Sequence, residues 1–248
     1  MLPKSQLQFI KSLHQKKFRK EHGLFIVEGI KSITEFLHSD YIVHSIYCFS
    51  KVEPKIGIFP KNIKQYVISE KELSIISALK APQGVLALIE IPPQKDAIDK
   101  NLNNNFSLVL DTIQDPGNLG TIIRTADWFG ISNVICSNDT VDVFNTKVVQ
   151  ATMGSLAHVS ISYVDLSKFL SETKLPVYAA SLSGQSIYET DFGNEGLILL
   201  GNEGNGISHL LMNQAKGITI PSFGKAESLN VAVSAAIFCS ELKRQSIR

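Results

Sequence analysis

From residue 106 to 222 the chain repeats one pattern: a short, uninterrupted apolar run, a polar turn, then apolar positions at helical spacing. The runs are "FSLVLDTI" (106–113), "NVICS" (133–137), "VSISYV" (159–164), "PVYAASL" (176–182), "GLILLG" (196–201) and "GITIPS" (217–222). Between several of them lie "GNLGTIIRTADWFG", "TKVVQATMGSLAH", "LSKFLSET" and "SHLLMNQAK". Strands without polar alternation are buried on both faces, so helices must cover both sides and the sheet must be mostly parallel. The closing "LNVAVSAAIFCSEL" is apolar almost all round, which predicts a helix held in a core or at a subunit interface.

Ahead of this region, "LFIVEG" (24–29), "HSIYCFS" (44–50), "KQYVIS" (64–69) and "GVLALIEI" (84–91) read as strands, with helical patterns in "IKSITEFLHS" and "EKELSIISAL". Residues 1–91 therefore form a compact α/β unit of their own. "PPQKDAIDKNLNNN" (92–105) breaks all periodicity and is the expected linker, leaving 106–248 as a second domain. Charge divides along the same line: residues 1–91 carry net +5 and residues 92–248 carry −4. Six basic and no acidic side chains fall in the first twenty residues, which suits either a polyanion partner or a solvated face.

The composition excludes several classes. With 44% apolar and 19% charged residues the chain is globular. No run approaches the roughly 18 apolar residues of a membrane span, and the basic N-terminus lacks the apolar core of a signal peptide. Three dispersed cysteines and six dispersed histidines have no metal-ligand spacing, so no metal and no membrane are expected, and a cytoplasmic location is. Neither a Gly-x-Ser-x-Gly elbow nor an HExxH pair is present.

Three loops beyond strand ends, where parallel sheets bind ligands, are rich in Gly, Asn and Ser. In "LDTIQDPGNLGTIIRTADWFG" (110–130) a turn enters a helix, with Asn118 near its start. Ile122, Ile123, Ala126 and Phe129 form the packing face, and Arg124 lies in line with Gly120, Thr121 and Trp128. That arginine is either a solvated side chain or a phosphate clamp. "LILLGNEGNGIS" (197–208) has glycines spaced for neither a dinucleotide fingerprint nor a P-loop, and it has no lysine. Such a loop is a sharp turn, or a backbone seat for an uncharged or zwitterionic ligand such as an adenosine. In "IPSFGKAESLNVAVSAA" (220–236), Ser228 and Asn230 stand at a helix entrance, where short polar side chains usually cap.

Taken in order, "DPGNLGTIIRTA", "LLGNEGNGI" and "IPSFGKAESLNVAVSAAI" resemble the three signature motifs of the SpoU (TrmH-like) RNA ribose 2′-O-methyltransferases of the SPOUT superfamily. Residues 11–91 resemble the L30e-like RNA-binding domain that many members carry. The resemblance implies a mostly parallel α/β SPOUT domain with a trefoil knot, an N-terminal L30e-like domain, a homodimer, and S-adenosylmethionine as cofactor. It implies methylation of a ribose 2′-hydroxyl in RNA, foremost ribosomal RNA of the 23S type. Transfer RNA as substrate, or a non-catalytic RNA-binding or ribosome-assembly protein, are the alternatives. Carried over by motif position, Gly201, Ile220 and Leu229 line the cofactor pocket, and Asn118, Arg124, Glu203, Ser228 and Asn230 form the polar catalytic site. Since residues 92–248 are net acidic, phosphate contacts are expected on Lys11, Lys16, Lys17, Arg19 and Lys20, with Phe18 among them.

Overall fold

The structure, a computed structural model, describes residues 2–50, 63–93, 102–202 and 204–247. Residues 94–101 of the expected linker, and Glu203, lie outside the described residues. In chain order the first elements are α1 (Lys4–Ser12), α2 (Lys16–His22), β1 (Leu24–Glu28), α3 (Ile30–Leu37), β2 (Val43–Cys48), β3 (Lys64–Val67), α4 (Glu70–Ile76) and β4 (Val85–Glu90). Then follow β5 (Phe106–Leu110), α5 (Pro116–Trp128), β6 (Asn133–Ser137), α6 (Thr146–Thr152) and a 3-10 turn (Ser155–Ala157). The remainder is β7 (Ser160–Val164), α7 (Leu166–Glu172), β8 (Val177–Ser186), β9 (Gly196–Leu200), α8 (His209–Met212), β10 (Lys216–Thr219) and α9 (Val231–Ser246).

These elements gather into two units, one made of Met1–Pro93 with Asp142–His158, the other of Gln94–Val141 with Val159–Arg248. The first unit holds a four-stranded sheet in the order β1-β4-β2-β3, with β2 and β3 parallel and the other two pairings antiparallel. Every residue of β1 is buried because both its faces are covered. Leu24 and Ile26 join Ile10, Leu13, Leu73, Ile76, Leu86 and Leu88 in one core. Phe25, on the alternate face, meets Phe36 and, at 4.7 Å between ring centres, Phe144. That second cover corrects the expected boundary. Asp142–His158, read from sequence as part of the second domain, packs in the first unit because Phe144 and α6 supply the far face of β1.

Helices α1 and α2 add to the sequence reading. Leu13 and Ile10 plug the core, and Gly23, at φ +64°, closes α2 in the left-handed conformation that glycine takes without strain. α4 starts with a capping box, in which Ser69 and Glu72 satisfy each other's backbone N–H groups.

The second unit is a six-stranded sheet in the order β10-β8-β9-β5-β6-β7, and every pairing in it is parallel. The expected uninterrupted strands are there: β6 and β9 are buried at every position. From β5 the chain proceeds outward to β6 and β7, then returns to lay β8 and β9 on the other side. The loops leaving β5 and β9 therefore part in opposite directions, which opens a crevice at the carboxyl ends of these two neighbours.

Candidate active site

Each of the three Gly/Asn/Ser loops begins at the carboxyl end of a strand of this sheet. The first leaves β5. Asp115 caps α5, its carboxylate accepting the Asn118 N–H at 2.8 Å, and Pro116 takes the first turn, where no N–H is needed. Asn118 thus sits in the first turn rather than at the cap. On α5 Leu119, Gly120, Ile122, Ile123 and Ala126 are buried, Gly120 lying one turn before Arg124 at the margin of the packing face. Thr121, Arg124 and Trp128 are exposed on the other side, with Trp128 84% accessible.

The second loop leaves β9 and is closed by Asn202. Its backbone exchanges two hydrogen bonds with Gly206, each 2.9 Å, and its side-chain oxygen accepts from Gly204 N–H (2.8 Å) and Asn205 N–H (3.1 Å). A Cβ on Gly201 would lie 2.3 Å from the Gly206 carbonyl carbon, so any side chain there pushes the turn open. The glycine is needed by the loop's own closure, before any ligand is considered.

The first two loops are also fastened to each other. Asn202 Nδ2 donates to the Thr112 carbonyl at 2.8 Å, Asp111 accepts the Ser208 N–H at 2.9 Å, and the Asp111 N–H donates to the Leu200 carbonyl. Thr112 adopts φ +58°, a left-handed conformation that a β-branched residue takes only under strain. Its N–H donates to Ser137 Oγ and its hydroxyl to Asp111, which holds it there. Asp111, Thr112 and Asn202, which fasten these loops, are not among the site residues expected from sequence. The available signal was a carboxylate and a hydroxyl ending the apolar run of β5 at the sheet's ligand-binding edge.

The third loop follows β10 and ends in Asn230, which caps α9 by accepting the Ala232 and Val233 N–H groups. Its amide nitrogen also donates to Asn118 Oδ1 at 2.9 Å. The first and third loops are thereby joined, and the N-termini of α5 and α9 brought side by side. Positive ends of two helix dipoles, with Arg124 just over two turns along α5, favour an anionic group. Arg124 has no hydrogen-bond or ion-pair partner among the described residues. Ser228 and Leu229 are exposed on the same loop, and Ser228 makes no capping bond. Of the expected polar set, Asn118 and Asn230 touch, and Arg124 and Ser228 lie on the elements they belong to.

Gly201 and Ile220 are half-buried just past β9 and β10, and Leu229 is 48% accessible. Between these strands, β8 leaves its ladder: Gly217 pairs with Ala179 but Ile218 pairs with Gln185. The intervening bulge carries exposed Leu182 and brings Gly184 against the Gly217 carbonyl, where a Cβ would lie at 2.2 Å. The carboxyl ends of β8, β9 and β10 thus offer closely packed backbone and apolar side chains.

In the first unit Lys11, Lys16, Lys17 and Lys20 are exposed, and Lys17 Nζ lies 5.8 Å from the centre of the Phe18 ring. Arg19 corrects the expectation. It is 2% accessible, donates to the Leu13 and His14 carbonyls, and pairs with Asp142 Oδ2 at 2.5 Å. The turn of α2 that points its neighbours to solvent points Arg19 inward, so it is unavailable to a phosphate. Among the described residues there is no cluster of three or more His, Cys, Asp or Glu able to hold a metal ion, and no helix is long and apolar enough to cross a membrane.

Comparison with known proteins matches residues 105–240 to the SpoU rRNA Methylase family and residues 4–87 to the MRM3-like substrate binding domain. The chain is 35% identical over 239 residues to the 23S rRNA (guanosine(2553)-2′-O)-methyltransferase RlmP of Bacillus subtilis, covering 94% of both chains. A protein from Porphyromonas gingivalis placed in the TrmH family of RNA methyltransferases superposes with a TM-score of 0.89 at 36% identity over 99% of both chains. The AdoMet-bound rRNA methyltransferase of Sinorhizobium meliloti gives 0.87 at 29% identity, covering 99% of this chain and 96% of that one.

Proposed function

The chain belongs to the SpoU rRNA methylase family, and from that premise we propose that it transfers the methyl group of S-adenosylmethionine to a ribose 2′-hydroxyl of ribosomal RNA. The observation that carries the proposal is the Asn230–Asn118 hydrogen bond. It joins loops that the sequence separates by more than a hundred residues and seats them beside Arg124.

The backbone at Gly201, with Ile220 and Leu229, would hold S-adenosylmethionine at the carboxyl ends of β9 and β10. Bound there, it supplies an electrophilic methyl group on a sulfonium. The protein's task is then to aim a hydroxyl at that methyl, its proton passing to solvent water as the methyl is transferred, and orientation alone removes much of such a barrier. Arg124, whose guanidinium is a planar fork of donors with no acceptor, donates to the nucleotide's phosphate and to negative charge developing on the ribose oxygen. Asn118 and Asn230, each restraining the other, set the position of the ribose at the head of α5. Ser228 contacts the nucleotide from the third loop. Lys11, Lys16, Lys17 and Lys20 take RNA phosphates, and only RNA presents the 2′-hydroxyl that the site requires.

The proposal extends to a homodimer. Trp128 on α5 and Val233 on α9, with Phe223 and Leu229 in the third loop, leave large apolar side chains in solvent around the site, and a second copy is the partner that covers them.

The test is transfer of labelled methyl from S-adenosylmethionine to unmodified rRNA and tRNA, followed by mapping of the modified nucleotide. Label on a ribose 2′-oxygen of 23S rRNA is the expected result, and the position equivalent to the B. subtilis relative's guanosine is the first to inspect. Label only on tRNA, or none, contradicts it.

A further inference from the structure

The first unit contains a cavity of about 250 Å³ that the methyl-transfer site does not use. Its walls are Ile26 and Glu28 of β1, Ala78 and Leu79 from the loop after α4, and Thr146, Lys147, Val149, Gln150 and Ala151 of α6. The lining divides in two. Ile26, Leu79, Val149 and the two alanines give it apolar walls. Glu28 is fully engaged, its carboxylate accepting from the Ser77 hydroxyl and from the Ala78 N–H at 2.9 Å. Against this, the side-chain polar groups of Thr146, Lys147 and Gln150 bond to nothing among the described residues. Lys147 is exposed, while Thr146 and Gln150 are half-buried.

We propose that this cavity holds an unpaired base of the RNA substrate. Its volume is below the ~300–1,000 Å³ of pockets for drug-sized molecules, which leaves a flat heterocycle rather than a peptide or a cofactor. Apolar walls accept the two faces of a base, and an amide such as Gln150, with one donor and one acceptor end, matches the edge of a base. Lys147, charged and in solvent at the same helix, meets the phosphate of that nucleotide as a point charge. The walls come from both matched segments: residues 26–79 from the substrate-binding model and residues 146–151 from the methylase model. A base seated there therefore touches α6, whose segment is continuous in sequence with β6 and β7 of the catalytic sheet. The segment leading into α6 is held in the first unit by the Phe25–Phe144 ring contact and the Arg19–Asp142 pair.

The inference rests on the RNA-methyltransferase reading for its ligand, and its test separates the two. Gln150→Leu removes the amide at similar volume, and Ala151→Phe fills the cavity. Each is expected to raise KM for unmodified rRNA about tenfold, in line with loss of one base contact, with kcat at saturating RNA and the Kd for S-adenosylmethionine unchanged. The four nucleoside 5′-monophosphates, titrated into the full-length ¹⁵N-labelled protein, are expected to shift amides of residues 146–151 and 78–79. Unchanged KM in both variants overturns the inference, and if Ala151→Phe fails to fold, Gln150→Leu decides alone. Should the wild type transfer no methyl, RNA affinity by fluorescence anisotropy replaces KM. Weakened binding by the variants then upholds the cavity while the catalytic reading falls, and unchanged binding overturns the cavity.

Discussion

Arg19 and its neighbours show how much the partners of one side chain decide. In sequence it is one of six cations near the N-terminus, indistinguishable by composition from Lys16, Lys17 and Lys20. In the fold it is buried on Asp142 and on two carbonyls, and those partners, rather than the helical period it shares with Lys16 three residues earlier, set it apart from the lysines. Arg19→Ala leaves the half-buried Asp142 without its cation but still accepting the Phe144 N–H, so it should cost about 1–3 kcal/mol in urea unfolding, whereas Lys16→Ala and Lys17→Ala should cost little stability and weaken RNA binding. A stable Arg19→Ala variant with impaired RNA affinity would restore it to the RNA face. Glu72 carries a pH signature. The Ser69 N–H and hydroxyl and the Leu2 N–H donate to its carboxylate and lower its pKa from 4.5 to about 2. A depressed carboxylate stabilises the fold fully above its unfolded value and loses that contribution as pH falls from about 4.5 towards 2. Glu72→Gln should therefore flatten the acid limb of the stability–pH curve, and an unaltered limb would show that the carboxylate is not a source of it.

At the scale of elements, the glycine loop after β9 is a self-supporting turn with Asn202 as its fastener. The expected reasons for its glycines were ligand approach and turn geometry, and for Gly201 the backbone contact with Gly206 favours the second. Asn202→Ala removes bonds to Gly204, Asn205 and the Thr112 carbonyl. It should weaken S-adenosylmethionine binding at least about tenfold by calorimetry, with a shift of only a few degrees in Tm; full affinity would mean that the loop does not form the seat. Strands and long helices were legible in the sequence because burial on two faces leaves an unmistakable apolar run, as in β6 and β9. α1 and α2 were not, because their apolar positions are few and their polar faces dominate a short window. Nor was the place of α6. Its residues carry the expected helical pattern, but which sheet face they cover depends on Phe25, a partner more than a hundred residues away. The strained Thr112 was equally invisible, since nothing local marks a threonine for the left-handed region.

For the whole molecule, the three motif segments were recognisable together though ambiguous singly, and the fold explains why. A parallel sheet returns the chain repeatedly to one edge, so residues far apart in sequence become neighbours, as Asn118 and Asn230 do. What the order of motifs could not convey was the contact itself, or the fastening of the first two loops through Asp111 and Asn202. The closing helix, apolar nearly all round, divides in the structure between a buried side with Ala235, Phe238 and Leu242 and an accessible Val233. If a second copy covers that side, Trp128→Glu with Val233→Glu should convert a dimer to a monomer by light scattering and abolish transfer; a wild-type monomer with full activity would remove the dimer from the account. Methylation of RNA by Arg124 and the joined loops, as proposed, is tested most directly by single-turnover transfer to unmodified rRNA. The wild type should place label on one ribose 2′-oxygen, and Arg124→Ala should react about 10²–10³-fold more slowly with cofactor affinity retained. Wild-type turnover by Arg124→Ala, or no label on rRNA from the intact protein, would contradict it.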